Sequence, residues 1–192
     1  EIEYDSIVVL TPHWQTYIGN HFLGLERFQN ISVDPIFPNL FRFHHDITVD
    51  VELSESMQRS AEEAGIVSMM MRNPDFRVDY GTIVSCHMLN PEWDKPIVTI
   101  SSNRSTHYYS DEVMNEQASA LGKAVGKAIE ESGKKVVLVA SHSLSHRHFV
   151  TEAPLPEDMS REHIYNHSQY VWDMKVIDCL LYTSDAADDS LR

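Results

Sequence analysis

Short apolar runs that alternate with helix-like segments are the feature that most constrains the fold of this chain. Three such runs, rich in β-branched residues, occupy positions 7–10, 96–101 and 136–140. Continuous apolar runs of this length are typical of strands that are covered on both faces of a sheet. The pattern therefore predicts an α/β fold with a mainly parallel central sheet and helices on both faces.

Two segments between these runs carry helix signals. Residues 52–64 are rich in helix-forming side chains and precede Gly65, a residue that suits the position just after a helix. A longer segment follows Ser110, which is a good N-cap, and reaches to about Ser132 before Gly133 ends it. We expect both segments to be helices that cover the sheet. The stretch between Asn30 and Asp50, with two prolines and several aromatic residues, predicts a long structured excursion that could wall a pocket.

The two ends of the chain differ from the segment between them. The first residue is not Met, and the chain reaches its first apolar run within a few residues. At the other end, the sequence CLLYTSDAADD at positions 179–189 reads like the translation of an adapter used to prepare sequencing libraries. We therefore expect residues 1–178 to be a partial domain, truncated at both ends, and residues 179–192 to be a non-native tail.

Composition excludes several classes of protein. The net charge of −14 opposes binding to nucleic acid or to an anionic membrane surface, because such partners reward clustered Lys and Arg. No run of about 18 apolar residues could span a bilayer, and the first residues lack the pattern of a signal peptide. Cys86 and Cys179 form neither a CxxC pair nor a ligand cluster, which fits a reducing compartment. These features predict a cytoplasmic protein.

His13 follows the first apolar run directly, after Thr11 and Pro12. A proline lacks the N–H that a strand ladder needs, so we expect the strand to stop there and His13 to stand at its carboxyl end. Ligands of parallel sheets gather beyond the carboxyl ends of the strands. His21 lies a short distance downstream, which fits a metal site, but from the pattern alone a structural role for His13 is the more common outcome.

The third apolar run opens into a histidine-rich segment that contains His142, His146 and His148. The segment lacks the glutamate of an HExxH zinc site, which excludes that class of metalloprotease. An imidazole that titrates near neutrality can take up and return a proton, so proton transfer fits this segment. A polar loop without a catalytic role fits the spacing equally well.

Tyr80 lies in the segment DYGT at positions 79–82. The segment fits a simple turn, or it could hold Tyr80 at the edge of a pocket, where a phenol can hydrogen-bond a substrate heteroatom. The histidines of the segment HHD at positions 44–46, together with His163 and His167, have no supporting context and are interpreted as structural or surface residues.

Six sequence blocks occur in order along the chain and are more informative together than any one of them alone. They are TPHW at 11–14, NHFLG at 20–24, SVDPIFPN at 32–39, MRNP at 71–74, FRVDYGTI at 76–83 and LSH at 144–146. In this combination the chain, from about residue 6 to residue 177, resembles the LigB superfamily of class III extradiol ring-cleaving dioxygenases. The resemblance implies a LigB-like version of the predicted α/β fold.

The resemblance also implies an activity and roles for individual residues. It implies an enzyme that uses Fe(II) and O2 to cleave the aromatic ring of 2-aminophenol or a related catechol. His13 matches a histidine ligand of the iron, and His146 matches the catalytic acid–base. Tyr80, His21 and His87 match positions that line the substrate pocket. The family's other iron ligands, a histidine and a glutamate, match no position of this chain, so the 192 residues alone are expected to be inactive.

By the same resemblance, the partners are an aromatic small molecule and O2, and the assembly is a hetero-oligomer with a related subunit. Two alternatives stay open. Related dioxygenases pair a catalytic chain with a similar one that has lost its metal ligands, although the retention of His13 and His146 speaks against that assignment here. The second alternative is a LigB-like interaction protein without ring-cleaving activity.

Overall fold

The computed structural model describes residues 3–34, 38–105, 108–142 and 167–189. The chain divides into two compact units, residues 1–141 and residues 142–192. The second unit contains one described helix, α4 (His167–Asp189). The predicted boundary at residue 178 falls inside that helix, and the origin of the residues beyond it stays a prediction.

The first unit contains the strands and the other helices. In chain order they are β1 (Ser6–Thr16), β2 (Asn20–Leu23), β3 (Arg27–Val33), β4 (Arg42–Thr48), α1 (Val51–Glu63), β5 (Ser68–Met71), α2 (Tyr80–Leu89), β6 (Ile97–Asn103), α3 (Asp111–Ser132) and β7 (Val136–Ala140). Across the described ranges, no helix combines the length and the apolar character needed to cross a lipid bilayer.

A five-stranded sheet in the order β5-β2-β6-β1-β7 forms the centre of the first unit. β1 pairs in parallel with both β6 and β7, and β2 pairs in parallel with β5. The antiparallel contact is between β2 and β6. The prediction of a mainly parallel central sheet is confirmed, and the three apolar runs of the sequence are the neighbouring strands β6, β1 and β7.

Alternate side chains of β1 join two separate cores. On one face, Ile7 packs with Ile83 of α2 and with the inner side of the hairpin that β3 and β4 form. On the other face, Val8 packs with Leu53 of α1 and Leu121 of α3. A strand that is covered on both faces needs apolar side chains at every position, which explains the continuous run. The prediction of helices on both faces is confirmed.

Both predicted helices are confirmed together with their ends. α1 ends at Glu63 with Ala64 as its C-cap, and Gly65 follows with φ +80°, a left-handed conformation that glycine adopts without strain. Ser110 accepts a hydrogen bond from the backbone N–H of Val113 and so caps the start of α3. Gly133, with φ +67°, ends that helix in the same left-handed region. Local signals in the sequence therefore fixed both helices.

β1 does not stop at Pro12, so that part of the prediction is wrong. Pairing with β7 ends at Leu10, but the strand continues beside β6 to the end of its range. The register with β6 shifts between Thr11 and Gln15. Pro12 therefore interrupts the ladder without ending the strand, because a bulge absorbs the residues that do not pair.

The predicted excursion contains the antiparallel β3–β4 hairpin, which covers one face of the sheet.

On the inner side of this hairpin His45 is only 4% exposed, and its Nδ1 lies 3.3 Å from the carbonyl oxygen of Phe28. Because a carbonyl accepts, the neutral ring carries its proton on Nδ1. Nε2 is buried and has no partner among the described residues. Burial therefore lowers the pKa of His45. Exposed His44 and the ion pair of Asp46 with Arg27 agree with a structural or surface interpretation of this segment.

Replacement of His45 by Gln should reduce the loss of stability that the chain shows on acidification. In the folded state the pKa of His45 lies below the usual value of 6.5. As the pH falls below that value, the unfolded state therefore binds more protons than the folded state, and the fold loses stability. Gln does not titrate. The urea midpoint should therefore fall less between about pH 7.5 and about pH 5 in His45→Gln than in the wild type.

The control is His44→Gln at the exposed neighbouring position, which should behave like the wild type. The same pH dependence in all three proteins would contradict the assignment of His45 as a neutral buried group.

Candidate functional site

His13 lies on a bulge of β1, just beyond the point where pairing with β7 ends. The register joins Thr11 and Gln15 to adjacent residues of β6, so residues 12–14 are left without a partner in that strand. A bulge redirects the side chains that it carries, and bulges are frequent beside active sites. The side chain of His13 is exposed. The bulge therefore presents an imidazole near the carboxyl end of a central parallel strand.

Side chains take the place of the missing ladder bonds at this bulge. The hydroxyl of Thr11 accepts a hydrogen bond from the backbone N–H of His13 at 3.2 Å. The hydroxyl of Ser102 donates to the carbonyl oxygen of Thr11 at 2.8 Å. The side-chain amide of Gln15 donates to the carbonyl oxygen of Pro12 at 3.1 Å. The backbone of the bulge is thus held in one shape without strand pairing.

α2 begins beside the bulge, so the segment at positions 79–82 is the start of a helix and not a simple turn. Asp79 is the N-cap: one carboxylate oxygen accepts from the backbone N–H of Thr82 at 3.1 Å, and the other accepts from its hydroxyl at 2.7 Å. The hydroxyl of Thr11 also donates to Asp79, at 2.8 Å. One carboxylate therefore connects the start of α2 to the residue of β1 that precedes the bulge.

The ring of His13 packs against the first turn of α2. Its centroid lies 4.3 Å from that of Tyr80, with the two planes tilted by 43°. A Cβ atom on Gly81 would lie 2.6 Å from Cδ2 of His13, which is closer than packed atoms approach. Glycine is therefore required at this position for the contact. Of the residues that the sequence singled out, His13 and Tyr80 are the two that the structure brings together.

The phenol of Tyr80 is half-buried beside an aromatic ring of the excursion. The centroid of Phe41 lies 6.0 Å from that of Tyr80. Burial, and then the nearby carboxylates of Asp34 and Asp79, raise the pKa of Tyr80. The phenol therefore keeps its proton at neutral pH and can donate a hydrogen bond.

His21 lies on β2, and its ring contacts Trp14 of the bulge. Its ring centroid is 6.3 Å from that of Trp14, and the two rings meet edge to face at 89°. Trp14 is itself 7% exposed and packs on Phe76. Burial lowers the pKa of His21, so the neutral ring is favoured at pH 7.

His87 lies seven residues beyond Tyr80 on α2, which is about 10 Å along the helix axis. Its exposed ring contacts Phe43 at 5.4 Å and Trp93 at 6.5 Å, between centroids. The structure does not bring His87 next to His13. The predicted His146 lies outside the described residues.

Sequence reasoning missed Thr11, Asp79, Gly81 and Phe41. An Asp at the start of a helix is a recognisable N-cap signal, so the role of Asp79 in starting α2 could have been found. Its bond to Thr11 could not, because the two residues are 68 positions apart. The same holds for Gly81, whose neighbour His13 comes from a different element.

One family model and several characterised proteins are similar to this chain. The model, described as the catalytic LigB subunit of aromatic ring-opening dioxygenase, matches residues 1–186. A 2-aminophenol 1,6-dioxygenase beta subunit from Pseudomonas sp. is 50% identical over 180 residues, which is 94% of this chain and 59% of that protein.

Two more distant relatives match similar lengths. A 2-aminophenol 1,6-dioxygenase alpha subunit from Pseudomonas sp. is 28% identical, over 80% of this chain and 55% of that protein. A 3,4-dihydroxyphenylacetate 2,3-dioxygenase from Escherichia coli is 26% identical, over 83% of this chain and 56% of that protein. The chain thus spans between 55% and 59% of the length of these relatives.

Replacement of Gly81 by Ala should destabilise the fold, although alanine favours helices. The Cβ would force the ring of His13 or the hydroxyl of Thr11, 2.9 Å away, to move. Gly122 of α3 is the matched control, because no atom lies within 4 Å of the position of its Cβ. Gly122→Ala should raise the free energy of unfolding by roughly 0.5–1 kcal/mol, and Gly81→Ala should lower it. Urea denaturation measures both, and equal stabilisation would show that α2 does not approach His13 closely.

Proposed function

This chain belongs to the LigB family of catalytic subunits of aromatic ring-opening dioxygenases, and from that premise we propose that the protein containing it cleaves the ring of 2-aminophenol or a related catechol with O2. The observation that carries the proposal is the 50% identity to a 2-aminophenol 1,6-dioxygenase beta subunit over 94% of the chain. The contact between His13 and Tyr80 supports it, because it joins a metal-binding type of side chain to a hydrogen-bond donor.

His13 is the proposed iron ligand. Its ring is exposed, and neither ring nitrogen is hydrogen-bonded to another described residue, so the imidazole is available to a metal. The fit is partial, since no group of three His, Cys, Asp or Glu side chains within the described ranges could hold a metal ion. By the sequence resemblance, the remaining ligands match no position of this chain, and the 192 residues alone are inactive in this proposal. When bound, Fe(II) supplies neighbouring coordination positions for the substrate and O2.

Tyr80 is proposed to orient the substrate. Its phenol stays protonated at neutral pH because burial raises its pKa, so it can donate to a heteroatom of a substrate held near His13. Phe41 adds an apolar ring beside it, which suits an aromatic substrate. His21 adds a neutral ring behind Trp14. His87, farther along α2, is the least supported member of the proposed set.

His146 is the proposed catalytic acid–base, and this assignment rests on the sequence resemblance. A neutral imidazole can accept a proton from a hydroxyl or amino group of the substrate and return it later in the same turnover. The expected contribution to the rate is about 10²–10⁴-fold, which is typical of a positioned general acid–base.

The proposed assembly is a hetero-oligomer with a related subunit. Among the relatives are an alpha and a beta subunit of 2-aminophenol 1,6-dioxygenase, and this chain is 28% identical to the first and 50% identical to the second. The higher identity favours a role like that of the beta subunit over that of the alpha subunit. An interaction protein without ring-cleaving activity is less favoured, because the matching family model describes catalytic subunits. A cytoplasmic location stays a prediction of the sequence.

In the complete protein, His13→Ala and His146→Ala should have separable effects. His13→Ala should lower the bound Fe(II), because it removes a ligand. His146→Ala should keep the iron and lower kcat by about 10²–10⁴-fold. His44→Ala, at an exposed position of β4, is the control and should keep both iron and activity. Anaerobic reconstitution with Fe(II), metal analysis and a 2-aminophenol cleavage assay measure these effects.

Three outcomes would contradict separate parts of the proposal. Normal turnover in His146→Ala would remove its role as acid–base, and normal iron content in His13→Ala would remove its role as ligand. A wild-type protein that binds Fe(II) but cleaves neither 2-aminophenol nor a catechol in the presence of O2 would overturn the proposed activity.

A further inference from the structure

Three polar side chains connect the start of α2 to the bulge of β1, and we refer to Thr11, Asp79 and Thr82 as the Asp79 network. Both threonines are fully buried. The carboxylate of Asp79 accepts hydrogen bonds from the two hydroxyls and from the backbone N–H of Thr82, at distances between 2.7 and 3.1 Å. The network therefore joins residues of two elements inside the protein.

The hydroxyl of Thr11 has two partners in this arrangement. It donates to Asp79 at 2.8 Å and accepts from the backbone N–H of His13 at 3.2 Å. Because the hydroxyl proton points to Asp79, a lone pair of the same oxygen is left to accept from the N–H of His13. The backbone of His13 is therefore connected to Asp79 through one side-chain oxygen.

Capping a helix does not require a link of this kind. Ser110 caps α3 through the N–H of Val113, a bond that stays within that helix. Asp79 caps α2 in the same way through Thr82, but its bond to Thr11 leaves the helix and runs to β1. The link to Thr11 therefore has a consequence beyond the start of the helix.

That consequence concerns the ring of His13. The first turn of α2 carries Tyr80, whose ring centroid lies 4.3 Å from that of His13. It also carries Gly81, where His13 is so close that there is no space for a side chain. Any shift of α2 relative to the bulge therefore changes the contact between His13 and Tyr80.

We propose that Asp79, acting through Thr11, is a positioning residue that holds the bulge of β1 on the first turn of α2 and so sets the placement of His13 relative to Tyr80. The inference rests on the proposed function, in which His13 binds the metal and Tyr80 orients the substrate. Groups behind a metal ligand commonly fix its orientation, and their loss weakens metal binding by about 10- to 100-fold. In this protein the fixing group reaches the ligand through its backbone.

A matched pair of buried threonines tests the positioning role in the complete protein. Thr11→Val removes the linking hydroxyl and keeps a β-branched side chain of similar size. Thr99→Val is the control, because Thr99 is also fully buried in a central strand but its hydroxyl has no partner among the described residues. Thr11→Ser keeps the hydroxyl and should restore the wild-type properties.

For Thr11→Val we expect the dissociation constant for Fe(II) to rise about 10- to 100-fold, measured by anaerobic competition with a chromogenic chelator. At saturating Fe(II), KM for 2-aminophenol should rise because the position of Tyr80 relative to His13 is no longer fixed. Thr99→Val and Thr11→Ser should match the wild type in both quantities. Crystal structures of the metal-free proteins add a readout without activity: the separation of 4.3 Å between the rings of His13 and Tyr80 should persist in Thr99→Val and change in Thr11→Val.

Equal Fe(II) affinity and equal ring separation in Thr11→Val and Thr99→Val would overturn the positioning role. If Thr11→Val does not fold, Asp79→Asn replaces it, since Asn also caps helices, and the same measurements and directions apply. If the wild-type protein binds no Fe(II) and cleaves no ring, the proposed function fails, and the ring separation alone then decides whether Asp79 positions His13.

Discussion

The position of β1 between β6 and β7 is the constraint on which the rest of the structure depends. A strand that is paired on both sides and covered on both faces must be apolar throughout, and Ile7, Val8 and Val9 are fully buried. These side chains join the core under α2 on one face and the core under α1 and α3 on the other. Pairing with β7 ends at Leu10, and there β1 can bulge and expose His13.

Beyond Leu10 the controlling physics changes from apolar packing to the satisfaction of backbone polar groups. The bulge lacks ladder partners, so side chains of Thr11, Gln15 and Ser102 supply the hydrogen bonds. Such bonds are specific in distance and angle, which gives the bulge a defined shape. The bond from Thr11 to Asp79 extends that order to α2, and it explains how an exposed imidazole keeps a fixed neighbour.

The surroundings of His45 and His13 in the fold distinguish these two residues, whereas their positions in the sequence do not. His45 is buried, shares its Nδ1 proton with a carbonyl and is held neutral, so it belongs to the packing of the hairpin. His13 is exposed, with its backbone fixed and its ring available. The structure therefore places His45 in the core of the hairpin and leaves the ring of His13 at the surface.

The sequence by itself determined the α/β class, the three apolar strands and the helices bounded by Gly65, Ser110 and Gly133, because strand burial and helix capping are written in residues close together in the chain. Family resemblance added five predicted site residues, His13, Tyr80, His21, His87 and His146. Only the tertiary structure decided that β1 continues past Pro12, that α2 starts at Tyr80 beside His13, and that Leu138 in the apolar strand β7 is 62% exposed. The physical reason is range: propensities act over a few residues, whereas the hydrogen bonds that shape the bulge depend on side chains that the fold brings from distant positions.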